Sequence, residues 1–387
     1  MRKLFLCLAV LSLFGCVTTD ENNVAEYANA EQSLPSLSLF AKMPEEDFER
    51  RCNDYSESSL LKHCQYDVVD YTELFNELEA STVFHSVHFG NDDVPYQLLV
   101  SSAGYSEEGI GDIGEAVIAG ATMMLAPVRT TRDIHVDAIL TWHGLPLKRY
   151  QLEFPFTTTI SLLSSPANAK RDLAKVVAAQ LISHLQGDGA MEPEYLYQSI
   201  GASDYHGTLN LPESVGEYVS NPLVLASHPL FGVQTRYVHR QFQFDSVDVF
   251  VYPIPNWEWG DLQLAQVREL DRVRQELHLV EKEAQWQALD LNEEASETWY
   301  VEGQDLPVTR LSGYFLAADG ERFDTHTYLF VRQDKFIKVR ASFSGEGRGR
   351  EEVEAFARGL IAKANVPSES RFMANVRESW RERQAGN

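Results

Sequence analysis

Between Arg132 and Thr141 the chain alternates. Ile134, Val136, Ala138 and Leu140 fall on one side, and His135, Asp137, Ile139 and Thr141 on the other. Successive side chains of a strand point to opposite faces, so this stretch reads as a strand with one apolar face. Trp142-His143-Gly144 turns the chain, and Leu147 to Leu163 returns as a second strand, with Pro155 marking a bulge or a sheet edge. Ser165-Pro166 then opens a helix to about Gln186, with Leu173, Val176, Val177, Gln180, Leu181 and His184 at helical spacing. Gly187-Asp188-Gly189 stops it. A strand pair feeding one long amphipathic helix must bury a sheet face against that helix, which points to an α+β unit. Upstream, 81–89 and 94–101 read as further strands and 105–114 as a glycine-studded loop.

The pattern repeats downstream. Arg236 to Phe244 and Ser246 to Tyr252 read as paired strands, ended by Pro253-Ile254-Pro255. Asp261 starts a helix to about Leu289, in which Val267, Leu270, Val273, Leu277, Val280 and Ala284 form the stripe expected to be buried. Strands are expected at 298–301, 309–317 and 325–331. Lys335 to Phe343 then makes a hairpin across Gln333-Asp334, and Glu351 to Ala364 is a closing helix. The expected fold class is therefore α+β with two domains, each a largely antiparallel sheet packed with long amphipathic helices. They cover 51–200 and 221–366, joined by a turn-rich linker at 201–220. A tail helix over 367–387 carries Phe372, Val376 and Trp380 on one side, a narrow stripe suited to docking. In the second domain the element order, with VDVFVYPIP and FIKVRASF, resembles the MOG1/PsbP-like α/β fold, which also occurs in bacterial envelope lipoproteins. That resemblance implies a non-catalytic accessory or binding module and transfers no functional residue.

The N-terminus supplies an address. Arg2 and Lys3 precede an apolar run from Leu4 to Phe14, closed by Gly15-Cys16. Such a run rises only about 16 Å as a helix, against a hydrocarbon core of about 30 Å, so it reads as a secretory signal over 1–15 rather than a membrane span. Leu13-Phe14-Gly15-Cys16 resembles the lipobox of bacterial lipoproteins, with Phe14 departing from the small or β-branched residue usual there. The resemblance implies cleavage before Cys16, lipidation of its thiol and acylation of the new amine. Val17, in place of Asp, implies export to the outer membrane, facing the periplasm. Residues 16–50 then read as the lipidated cysteine and a polar tether.

Charge and cysteine usage narrow the function. The chain holds 57 acidic against 33 basic residues, a net charge of −24, which argues against nucleic acid as a partner. Cys52 and Cys64, in an oxidising compartment, are expected to form a disulfide. A metal reading of Cys52, His63 and Cys64 offers too few soft ligands, and no metal or cofactor is expected.

Searched for catalytic patterns, the chain yields little. It has no G-x-S-x-G. Ser59-Leu60-Leu61-Lys62 matches S-x-x-K, but Ser203-Asp204 is followed by Tyr205 rather than Asn, and K-T-G is absent. His85 and His88 lie on opposite faces of an expected strand, which spoils a shared metal. His135 and Asp137 share a strand face with His143 near in sequence, the arrangement general-base chemistry would need and also what any half-exposed strand offers. Gly345, Gly347 and Gly349 form either an anion cradle or a helix-capping turn. Trp257 and Trp259, in a proline-framed loop, and Trp380 are candidate binding residues. The expectation is an outer-membrane lipoprotein that works by binding, as an accessory or assembly factor of an envelope complex with a protein partner. The alternatives are a periplasmic hydrolase assembled from distant residues such as His135, Asp137 and His143, and a carrier of an apolar ligand.

Overall fold

The computed structural model describes residues 27, 33–43, 45–107, 128–160, 166–242, 245–255, 261–347 and 349–385. Cys16, Trp257 and Trp259 lie outside the described residues, as does most of the glycine-studded loop. The chain divides into two compact units, 1–191 and 192–387, each with its own sheet.

In the first unit the chain runs through β1 (Leu37–Ala41), α1 (Glu46–Glu57), β2 (Lys62–Tyr66), α2 (Tyr71–Ala80), β3 (Val87–Phe89), β4 (Tyr96–Glu107), β5 (Val128–Trp142), β6 (Leu145–Ile160) and α3 (Pro166–Gly187). The sheet order is β3-β1-β4-β5-β6. One flank of the long β4 is shared, with β1 parallel along 96–100 and β2 antiparallel along 103–107. The alternation at 134–140 is realised, since Ile134, Val136, Ala138 and Leu140 are all buried. At about 1.5–3 kcal/mol per fully buried aliphatic side chain, this face is a major source of the unit's stability. The β5–β6 turn is a two-residue loop, His143-Gly144, with φ of 47° and 78°. Positive φ at both positions matches the twist of the flanking strands and sets Trp142 opposite Leu145, and a bulge at Leu147 then shifts the register so that Leu140 faces Lys148. Pro155 marks an edge rather than a bulge, because β6 borders the sheet. On α3, Leu173, Val176, Val177 and Leu181 are buried while His184 is exposed.

The tether is shorter than expected. Leu37 and Leu39 are fully buried in β1, and α1 begins at Glu46, so the folded body starts well before residue 51. The short Ser-Leu-Ser-Leu alternation was too brief to stand out among polar neighbours. Likewise 81–89 is only partly strand: α2 ends at Ala80, and pairing is confined to Phe84 and Val87–Phe89.

The second unit contains α4 (Pro193–Ile200), the single turn α5 (Tyr205–Thr208), β7 (Ser214–Val215), β8 (Tyr218–Ser220), β9 (Val224–Leu225), β10 (Val233–His239), β11 (Ser246–Pro253), α6 (Leu262–Glu283), β12 (Ala288–Val301), β13 (Gln304–Leu316), β14 (Arg322–Arg332), β15 (Lys335–Ser344), α7 (Arg350–Ile361) and α8 (Arg371–Ala385). Its antiparallel sheet runs β12-β13-β14-β15-β11-β10-β8-β7, with β9 on β10. The expected linker at 201–220 is therefore part of this unit: Tyr205 and Tyr218 are buried in its core. Turn residues there shape short elements instead of separating domains.

One sheet face, carrying Val247, Val249, Val251, Ile337 and Val339, packs on Val353, Phe356 and Leu360 of α7. Gly349 caps α7 at φ 88°, and a Cβ there would lie 2.1 Å from the Phe343 ring, so the glycine is sterically required. The neighbouring Gly347 amide donates to the Asp324 carboxylate, so the chain's own acid uses that amide. The opposite face meets α6, whose buried side is Ala265, Gln266, Glu269, Leu270, Val273 and Leu277. Val267 and Val280, expected in the stripe, are exposed. The helix is rotated because Gln266 donates to the Pro307 and Leu329 carbonyls and Glu269 accepts from Tyr252, so two polar residues earn buried places through hydrogen bonds.

Helix α8 docks on its own unit by its first two turns. Phe372, Met373 and Arg377 are buried, while Trp380 is 39 % exposed, past the contact. The docking group is thus a cation, not the tryptophan. Arg377 Nη1 lies 3.0 Å from the Asp334 carboxylate and pairs with Glu369, while Nη2 donates to the Ile254 carbonyl at 2.7 Å. Asp334 also accepts from Lys335, itself fully buried.

Candidate functional site

The three candidate catalytic residues of the first unit do not converge. His135 Nδ1 sits 3.1 Å from Glu153 on the neighbouring strand, its ring edge-on to Tyr105. Asp137, only 3 % exposed, takes two hydrogen bonds from Arg149 at 2.6 and 2.9 Å, and Arg149 reaches Glu45 at 2.9 Å. Lys42, and after it Arg149, holds the Glu45 carboxyl below its ordinary value. His143 is at the hairpin tip, against Trp142, six residues and about 20 Å along the strand from Asp137. Helix α1 lies over the His135 face, packing Phe48 and Cys52 on Ala103, the register partner of His135. The arrangement is a helix pinned to a sheet by ion pairs.

Cys52 and Cys64 are bonded, with Cα atoms 5.4 Å apart, tying α1 to β2. Ser59 and Lys62 fall in the intervening turn and on β2, not on one helix. Lys62 lies over Tyr55 instead of reaching Ser59, whose hydroxyl accepts from the Leu61 amide. His88 bonds to Ser86, and His85 is exposed. Among the described residues no cluster of three metal-ligating side chains occurs, and no helix is long and apolar enough to cross a membrane.

The second unit contains a different site. Helix α6 covers only part of its sheet face, over β13 and β14. The uncovered part, on β10, β11 and β15, is the floor of a cavity of about 600 Å³. Gln234, Phe250, Tyr252, Lys338 and Arg340 form the floor; register pairs Phe250 with Lys338 and Asp248 with Arg340. Glu269, Arg272 and Glu276 of α6 make one wall. The other wall is β9 and the following turn, with Val224, Leu225, Leu230 and Phe231. Gly232 ends that turn at φ 64°, ψ −124°, where a Cβ would lie 2.1 Å from the Val251 carbonyl oxygen. Only glycine lets the wall approach β11 so closely.

The polar groups of this cavity are ordered. Tyr252 donates to Glu269 at 2.5 Å, and burial, with the Glu269 charge beside it, pushes the phenol well up, so it remains a donor. Lys338 pairs with Glu276 at 3.2 Å and lies over the Phe250 and Tyr252 rings at 5.1 and 5.3 Å. Arg272 lies 2.8 Å from Glu269. Asp248, which faces Arg340 in the register, is instead engaged by Arg236 through hydrogen bonds of 2.7 and 3.0 Å. Among the described residues, Arg340 has no hydrogen-bond acceptor. Burial holds its guanidinium below its ordinary value, with the Glu276 and Asp248 charges acting in the opposite sense.

Glu269 offers a pH test. Burial raises its carboxyl above the ordinary value of 4.5, against the opposing effects of Tyr252, Arg272 and Lys338. With the folded value above the unfolded one, the folded state binds more protons just above pH 4.5, so this group's contribution falls as pH rises through that window. Glu269→Gln is expected to flatten that fall in urea midpoints measured between about pH 4 and 7. A variant curve parallel to that of the wild type would show that Glu269 does not titrate in this way.

Neither known family models nor curated proteins match the chain. Among solved structures, the Pseudomonas aeruginosa protein PA94, itself of unknown function, aligns over 39 % of this chain and 93 % of its own. The identity is 14 % and the TM-score 0.20, a likeness too loose to bear on fold or function.

No sequence motif marks the residues of this cavity as a site. The signal existed in FIKVRASF, where Lys338 and Arg340 interrupt a strand at the same phase. Two cations on one strand face also suit a solvated edge, and only the sheet order places β15 in the middle.

Proposed function

We propose that the protein is a lipid-anchored envelope protein of the outer membrane, facing the periplasm, which works by binding as an accessory or assembly factor. The observation that carries this reading is the contrast between the two units. The candidate catalytic groups of the first are each held by a separate neighbour, whereas the second presents a concave site with a cation that lacks a protein acceptor among the described residues. A lined cavity with a few placed polar groups is the usual form of a ligand site. The Cys52–Cys64 bond fits an exported chain, and the proposed kinship of the second unit with the MOG1/PsbP-like fold points the same way.

The anchor is tested directly. Cys16→Ala is expected to accumulate as the longer precursor and to take up no labelled palmitate in growing cells. Labelling equal to wild type would overturn the anchor and the location together. Crosslinking in cells, followed by identification of what co-purifies, tests the partner.

A further inference from the structure

The α6–β11–β15 cavity combines three properties. Its lining carries apolar groups on both floor and wall, Phe250 on the floor and Leu230 and Phe231 on the wall, and Phe231 is 66 % exposed. Its charge is slightly positive, with Arg272, Lys338 and Arg340 against Glu269 and Glu276, in a chain of net charge −24. The excess cation is Arg340, because Lys338 and Arg272 already face carboxylates. A half-buried guanidinium that no acceptor among the described residues bonds, with the Glu276 and Asp248 charges near it but engaged by Lys338 and Arg236, has room for an incoming anion, and its planar fork matches a carboxylate with two parallel hydrogen bonds. A group of higher negative charge would meet Glu269 and Glu276 once the single excess charge was balanced. The volume, about 600 Å³, falls within the range of small-ligand sites, about 300–1,000 Å³.

We propose that this cavity binds a single-chain amphiphile with a carboxylate head, the carboxylate seated on Arg340 and the apolar chain laid over Phe250 toward Leu230 and Phe231. The proposal deepens the binding reading above and rests on it. Tyr252 and Lys338 act as positioning residues: the phenol bonds Glu269, and the ammonium pairs with Glu276.

The test is calorimetric titration of the purified full chain with laurate, dodecanol and dodecylamine. Laurate is expected to bind, dodecanol at least about tenfold more weakly, and dodecylamine more weakly still. Arg340→Met is expected to weaken laurate by about tenfold to a hundredfold and to leave dodecanol unchanged. Phe231→Asp places a negative charge on the exposed rim and should weaken laurate whether or not Arg340→Met folds, with circular dichroism reporting the fold of each. Equal affinities for laurate and dodecanol, or laurate binding unaltered by both substitutions, would overturn the carboxylate assignment. No binding of laurate would remove this ligand class, and the crosslinking experiment would still judge the wider reading by itself.

Discussion

Asp334→Ala is expected to lower the stability of the second unit by about 3–5 kcal/mol, the effect of removing one partner from a buried ion group. Asp334 is 2 % exposed and stands between Lys335, 0 % exposed, and Arg377, 1 % exposed. Without that carboxylate Lys335 loses its ion-pair partner while fully buried, and Arg377 beside it keeps only Glu369. Burial already holds the Lys335 amine below its ordinary value, and Asp334 is the first group acting against that. The variant leaves Lys335 the choice of losing its proton or opening the α8 contact. In a unit of this size each kcal/mol moves the melting temperature by about 2–4 °C, so a fall of about 10 °C is expected by calorimetry. The triple variant Asp334→Leu, Lys335→Met, Arg377→Met should recover much of the loss, because it removes the three fully buried charges and leaves only Glu369, which is 40 % exposed to water. A single variant that melts within about 2 °C of wild type would show that water reaches the group.

The second large effect belongs to the first unit. Replacing Cys52 and Cys64 by serine is expected to lower its stability by about 3 kcal/mol, the chain-entropy value for so short a loop. The bond joins α1 to β2 across a separation of 12 residues, and Cys52 is 2 % exposed beneath the helix. Reduction of the folded protein should therefore be slow, and should become fast only in denaturant. Urea midpoints with and without reductant report the difference. Wild type should lose stability on reduction, and the double variant should be indifferent to it. Equal midpoints for oxidised and reduced wild type would mean that the ion pairs of Arg149 and the packing of Phe48 hold α1 unaided.

Much of the fold was legible because period and punctuation agreed. The β5–β6 hairpin announced itself by alternation and His143-Gly144, and α3 by its spacing and its glycine stop. The β14–β15 turn at Gln333-Asp334 was equally plain. What was not legible depended on long-range choices. The rotation of α6 is set by hydrogen bonds from Gln266 to the Pro307 and Leu329 carbonyls, and no local pattern encodes those partners. The docking of α8 looked apolar, with Trp380 as anchor, yet Arg377 carries it through residues far away in the chain. The cavity was hidden for the same reason: an arginine reads as surface until the sheet order shows which neighbours its partners have already taken.

The buried charge group also gives the second unit a timetable. A chain made from its N-terminus can close the Cys52–Cys64 loop early, from sequence neighbours alone. Asp334 and Lys335 can pair as soon as the β14–β15 hairpin forms, but the third member arrives only with α8. Until then the Ile254 carbonyl lacks its arginine donor, and Phe372 and Met373 have not covered the ground around it. A chain interrupted before Arg371 would keep every strand of the second sheet and still stall short of its final packing. Completion of this unit is in effect a reading of whether its last helix has been delivered.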